Sequence, residues 1–247
     1  MCEACRHNAA HGFAPTRRRF SMTASAVGLS LASTAHAGQT KKETKEPPKP
    51  QNVVSPDAAL KRLMAGNERY VDGDSLRHDF RHEREALVGG QNPFAAILSC
   101  ADSRVAPEYA FDSGRGDLFV CRFAGNFATT EAIASLEYAV ALLNVPLIFV
   151  LGHEACGAVE AAIKSLKDNK PLPGHLPTLV AGLSAAVIAA AQQTGDPLDN
   201  AIRQNVIDTV IKLKSAAPVL NAAVDQTKLK VAGGIYRLRE GTVDMVA

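Results

Sequence analysis

The sequence predicts an α/β fold, a mostly parallel sheet flanked by helices, on three observations. Short apolar runs recur at residues 94–99 (FAAILS), 118–123 (LFVCRF), 146–151 (PLIFVL) and 228–235 (KLKVAGGI). Stretches of helical periodicity separate them, the βαβ order that makes neighbouring strands parallel. The run at 146–151 is apolar without alternation, as in a strand covered on both faces.

In chain order, Ser55 is placed to cap a first helix with Pro56 at its first position. Leu60 and Leu63 then share a face before Gly66 ends the pattern. Residues 130–143 form a helix opened by Thr129 or Thr130 and closed ahead of Asn144 and Pro146. Residues 157–166, 176–192 and 198–214 supply further helices. The segment 132–151 is mostly apolar and close to the length that spans a bilayer. Glu137 interrupts it, and Asn144-x-Pro146 divides it into a helix and a strand, so no mature transmembrane segment is expected.

The chain has 247 residues, of which 47% are hydrophobic and 21% charged, enough to bury a core. Neither a disordered chain nor a collagen-like repeat has this balance, and five cysteines are too few for a disulfide scaffold. A net charge of +2, no Trp and 5% aromatics exclude the usual features of a nucleic-acid binder. The charge is uneven. The first 37 residues carry four arginines against one acid, leaving 23 bases and 24 acids in the remainder.

Residues 1–37 read as a twin-arginine signal peptide. Arg17-Arg18-Arg19-Phe20 precedes an acid-free, weakly apolar run and an Ala35-His36-Ala37 cleavage pattern. Export to the periplasm or beyond by the twin-arginine route is therefore expected. Cys2 and Cys5 fall within this leader. Residues 38–55, GQTKKETKEPPKP and the five that follow, read as a flexible polar linker. The working domain is expected at 56–247, with three cysteines, an odd number that closes no disulfide framework.

Chemistry-bearing residues gather in Cys100-Ala101-Asp102-Ser103-Arg104 and Gly152-His153-Glu154-Ala155-Cys156-Gly157. Each segment follows a predicted strand, and the carboxyl ends of parallel strands are where open α/β sheets bind ligands. Cys156 would open the helix at 157–166, where the helix N-terminus favours a thiolate. Two thiolates and an imidazole suit tetrahedral zinc, and three protein ligands leave a fourth position open, as in catalytic sites. The spacing alone leaves open a buried strand-end Cys and a hydrogen-bonded core His, since Cys100 lies far from His153 in sequence.

The ordered motifs resemble the β-class carbonic anhydrases. Beyond Cys100-Ala-Asp102-Ser-Arg104 and Gly152-His153-x-x-Cys156-Gly157-Ala158, they include Gly116-Asp117-Leu118-Phe119, Arg122, Ala124-Gly125-Asn126 and Ser135-Leu136-Glu137-Tyr138-Ala139. Leu60-x-x-Leu63-x-x-Gly66-Asn67-x-x-Tyr70 is similar to the family's N-terminal helix, and the likeness runs over about residues 56–241. The resemblance implies a central, mostly parallel four-stranded sheet flanked by helices, with a C-terminal edge strand. It implies one Zn²⁺ per subunit on Cys100, His153 and Cys156, with Asp102 and Arg104 as the catalytic pair. The expected reaction is reversible hydration of CO₂ to bicarbonate and a proton, through attack of zinc-bound hydroxide on CO₂.

In the implied chemistry Asp102 orients the hydroxide and Arg104 keeps Asp102 ionised and turned from the metal. In some family members the aspartate becomes the fourth metal ligand in a closed state, a switch that Asp102 is positioned to make. A homodimer or larger homo-oligomer is also implied. A hydrolase for a CO₂ analogue such as carbonyl sulfide, or a noncatalytic zinc or thiol protein, would present similar residues. Two positions depart from the family pattern. Cys121 stands where an aliphatic residue is common and reads as a small buried hydrophobe. Glu154 replaces a small polar residue and is expected to add charge near the site mouth. His78, His82 and His175 read as solvated surface residues, and the proton shuttle stays unassigned.

Overall fold

A computed structural model describes residues 53–247. The signal peptide expected at 1–37, with Cys2 and Cys5, and the expected linker up to residue 52 lie outside the described residues. Strands Ala95–Ser99 (β1), Leu118–Arg122 (β2), Leu147–His153 (β3) and Lys230–Tyr236 (β4) pair in parallel in the order β2-β1-β3-β4. Val243–Met245 (β5) adds antiparallel to β4 as the C-terminal edge. The expected α/β sheet and its edge strand are both present.

Because successive strand side chains point to opposite faces, each strand feeds two apolar layers. Ala96, Leu98, Ile148 and Val150 fill one, while Ala95, Ile97, Leu147, Phe149 and Leu151 fill the other. The first layer is covered by Thr130–Leu143 (α4), Gly157–Asp168 (α5), Pro177–Ala190 (α6) and Pro197–Lys214 (α7), through Leu136, Val159, Leu183 and Val206. The second is covered by Pro56–Asp72 (α1) and Pro107–Ala110 (α3), through Leu63 and Ala110. Each Val, Leu, Ile or Phe so buried contributes about 1.5–3 kcal/mol. Helix α7 lies close on β3 and β4, since a Cβ at Gly152 or Gly233 would come within 2.6 Å of Val206.

Local signals explain the helix limits. Ser55 caps α1, its Oγ accepting from the Ala58 amide at 3.2 Å, and Thr129 caps α4 in the same way through Ala132. Helix α4 stops at Asn144, in the left-handed conformation with φ 55, ahead of Pro146. The division of 132–151 into helix and strand is thus as expected. No helix among the described residues is long and apolar enough to cross a membrane.

Gly66 corrects the sequence reading. It does not end the helix but sits inside α1, where the axis passes so close to α3 that a Cβ would fall 2.0 Å from the Phe111 carbonyl oxygen. Gly73, with φ 73, ends α1 instead. Helices Phe80–Ala86 (α2) and Val219–Asp225 (α8), and the short α3, were not expected. Asn67, one residue after Gly66, is buried and fully used. Its Nδ2 donates to the carbonyls of Ala110 and Gly241, both at 2.8 Å, and its Oδ1 accepts from the Val243 amide at 2.9 Å. It joins α1 to α3 and to the edge strand. Asn67→Leu strands three buried backbone groups and is expected to lower unfolding free energy by about 3 kcal/mol in urea titrations. An unchanged midpoint would show that these bonds hold nothing together.

Candidate metal centre

Strands β1 and β3 are hydrogen-bonded neighbours with Ser99 opposite Leu151. Cys100 follows Ser99 directly and His153 is the last residue of β3, so parallel pairing delivers both to one sheet edge. Cys156 is the N-cap residue of α5. The Cys100 and Cys156 sulfurs and a His153 ring nitrogen all lie within 4.8 Å of one another. All three residues are buried, His153 completely. The three ligands expected from the sequence are therefore brought together.

The hydrogen bonds define how each donor points. His153 Nδ1 lies 2.8 Å from the Glu154 carbonyl oxygen. A carbonyl only accepts, so Nδ1 carries the proton and Nε2 keeps the lone pair. That Nε2 is buried and has no hydrogen-bond partner. An orphaned acceptor costs about 1–3 kcal/mol, which a metal ion bound between it and the two sulfurs would offset. The neighbouring Cys156 side chain lowers the Cys100 thiol, against the opposing effect of burial and with further help from the Gly125 amide. The neighbouring Cys100 side chain and burial push Cys156 up, while the Ala158 and Val159 amides at the start of α5 favour its thiolate. The Gly125 amide stands 3.4 Å from Cys100 Sγ. Donor softness, convergence and the orphaned nitrogen all fit a metal ion.

Asp102 and Arg104 form the expected pair. Asp102 Oδ1 accepts from the Arg104 amide and Nε, both at 2.9 Å, and Oδ2 accepts from Nη2 at 2.7 Å. Arg104 hydrogen bonding holds the Asp102 carboxyl well below the usual carboxylate range, against the opposing effect of burial. Asp102 Oδ2 is 3.9 Å from His153 Nε2, so an ionised carboxylate borders the metal centre while bound to its arginine. Arg104 Nη2 also donates to the Ala155 carbonyl at 3.2 Å, linking the two motif segments.

Two supports had no role assigned from the sequence, although Arg122 stands among the ordered motifs. Arg122, at the end of β2, donates from Nε to the Cys100 carbonyl at 3.1 Å and from Nη2 to the Asp102 carbonyl at 2.8 Å. Its signal was a charged residue closing an apolar strand. Asn205, buried on α7, donates to the Gly125 carbonyl at 2.8 Å and steadies the loop whose amide meets Cys100. Its signal was a polar residue on a helix's apolar face.

The charge expected at Glu154 is partnered: its carboxylate accepts from the Leu238 amide at 2.9 Å and Arg237 Nη1 at 3.1 Å. Cys121 is half-buried against the core, and burial raises its thiol. His82 and His175 are exposed, as expected. His78 is instead half-buried, bonded to Glu83 at 3.0 Å. It lines a cavity of about 600 Å³ that touches β2 at Leu118, the opposite end of the strand from Arg122.

A sequence model of the family described as carbonic anhydrase matches residues 95–243. Carbonic anhydrase 2 of Mycobacterium tuberculosis is 38% identical over 194 residues, covering 76% of this chain and 91% of that protein. Among solved structures, the β-carbonic anhydrase CcaA superimposes with a TM-score of 0.60 at 29% identity, over 77% of this chain and 92% of that one. Tetrameric β-carbonic anhydrases of Sordaria macrospora share the fold at 24% identity and a TM-score of 0.59, over 77% and 95% of the two chains. With its parallel sheet and its Cys-His-Cys cluster at the strand ends, the chain belongs to the β-class carbonic anhydrase family.

Proposed function

We propose that this protein catalyses the reversible hydration of CO₂ to bicarbonate and a proton, with one zinc ion per subunit held by Cys100, His153 and Cys156. The observation that carries the reading is the buried convergence of these three donors within 4.8 Å, beside an ionised Asp102. When bound, zinc acidifies water to a pKa of about 7 and so supplies hydroxide near neutral pH. The chain's own residues then aim it. Asp102, ionised by Arg104, only accepts hydrogen bonds, so it takes the nucleophile's proton side and turns its lone pair to the carbon of CO₂. Arg104 uses three N–H groups to fix that carboxylate, and Arg122 fixes the backbone on which it sits.

Stopped-flow CO₂ hydration paired with zinc analysis tests the reading. Wild type is expected to be active with one zinc per chain, Cys100→Ser to lose the metal, and Asp102→Asn to keep zinc while losing about 10–100-fold in rate. Full zinc with no hydration would overturn it. The proposal includes a homodimer or larger homo-oligomer, since β2 is an edge strand to which a second copy can add. A monomeric active species in sedimentation would remove that part.

Asp102 has a second proposed role as fourth ligand in a closed arrangement, reached by leaving Arg104. Arg104→Gln is expected to favour it, altering the cobalt absorption spectrum and slowing hydration by about tenfold or more. Adding Asp102→Asn is expected to restore the wild-type spectrum, and an unaltered Arg104→Gln spectrum would exclude the closed state.

We also propose that residues 1–37 direct twin-arginine export to the periplasm after zinc has been inserted. That route carries folded chains and would spare Cys100 and Cys156 from oxidation before they bind metal. Replacing the leader by one for unfolded chains is expected to lower zinc occupancy of the exported protein. Equal occupancy by both routes would count against it.

A further inference from the structure

Within the segment between His153 and Cys156, Glu154 has no part in the chemistry above, yet it is tied down on several sides. Its carboxylate is held by Arg237 and the Leu238 amide, and Arg237 Nε donates in turn to Asp244 Oδ2 at 2.7 Å. The Glu154 amide donates to the Tyr236 carbonyl at 3.1 Å. Main chain and side chain are thus both fastened to the β4–β5 hairpin. The Glu154 carbonyl is the acceptor that fixes the His153 ring. The next residue, Ala155, has φ 49, a left-handed conformation that side chains disfavour, and its own carbonyl is held by Arg104.

We propose that Glu154 is a positioning residue for the metal ligand His153. Its carboxylate, latched to Arg237 and Leu238, holds the Glu154 carbonyl where it turns His153 Nε2 toward Cys100 and Cys156. The inference rests on the metal reading above and extends it to a side chain outside the ligand set. Glu154 and Arg237 are 31% and 29% exposed. An ion pair so open to solvent contributes little to folding, so its main consequence is geometric. Without the carboxylate latch the Glu154 peptide keeps only its amide bond to Tyr236 and the Arg104 bond to the Ala155 carbonyl, so the carbonyl that orients the ring can shift and the buried lone pair loses its aim. Outer-shell partners of a ligating histidine typically change metal affinity by about 10–100-fold, and Glu154 acts one step further out, at the lower end.

The test compares wild type, Glu154→Ala and Glu154→Gln as complete proteins in three measurements: zinc release to a chelator, cobalt absorption and thermal unfolding. Glu154→Ala is expected to release zinc about tenfold faster and to displace the cobalt bands, with its unfolding temperature close to wild type. Glu154→Gln keeps an acceptor for the Leu238 amide and is expected to recover the wild-type bands. Cobalt bands of Glu154→Ala that superimpose on wild type, or unchanged zinc release, would overturn the role of Glu154 and leave the metal site standing. A wild-type protein that takes up neither zinc nor cobalt would overturn both.

Discussion

The site depends above all on the parallel pairing of β1 with β3 in one register. With Ser99 opposite Leu151, Cys100 and His153 emerge side by side although each belongs to a different stretch of sequence. A slip of one residue would move every side chain of a strand to the other face. Here both faces are packed, so a slip would put each strand's residues into the wrong layer on both sides of the sheet. The cores above and below the sheet thus enforce the register that sets the distance between two ligands. Gly152 and Gly233 contribute by letting α7 press on β3 and β4, and that helix carries Asn205 to the Gly125 loop beside Cys100.

The second constraint is charge. Two sulfurs and one carboxylate converge in a buried corner, and isolated anions there would be costly. Each meets a different compensation. Arg104 answers Asp102 with two side-chain N–H groups and its own amide. The Gly125 amide faces Cys100, and the α5 N-terminus favours a thiolate at Cys156. Arg122 donates only to the carbonyls of Cys100 and Asp102, so it acts on the backbone geometry of the site. The orphaned His153 Nε2 is a buried lone pair that a metal ion between the sulfurs would satisfy.

Much of this was legible in sequence because it is local. The caps Ser55 and Thr129, the Asn144 stop and the unalternating third strand each act within a few residues. The ligand trio was legible through short motifs that bind the chemistry to strand ends. The four-residue α3 and the polar α2 carry too few periodic positions to show, and the three-residue β5 was expected only through the family resemblance. Gly66 was misread because a helix-ending glycine and a glycine at a close helix crossing look identical until the second helix is in place.

The supports of the site were hidden for a related reason. Glu154, Arg122 and Asn205 act through partners that are distant in sequence: Arg237 and Leu238 for the first, the Cys100 and Asp102 carbonyls for the second, and Gly125 for the third. A ligand is defined by its own chemistry, and that chemistry is written at one position. A support is defined by the distance between two positions, which exists only after the sheet has formed. Glu154 shows the difference within one tetrapeptide. His153 and Cys156 stood out as candidate ligands by residue type and were assigned through the family's ordered motifs, whereas Glu154 read only as added charge until the β4–β5 hairpin was beside it. The candidate metal centre is therefore as much a property of the sheet and its hairpin as of its three donor residues.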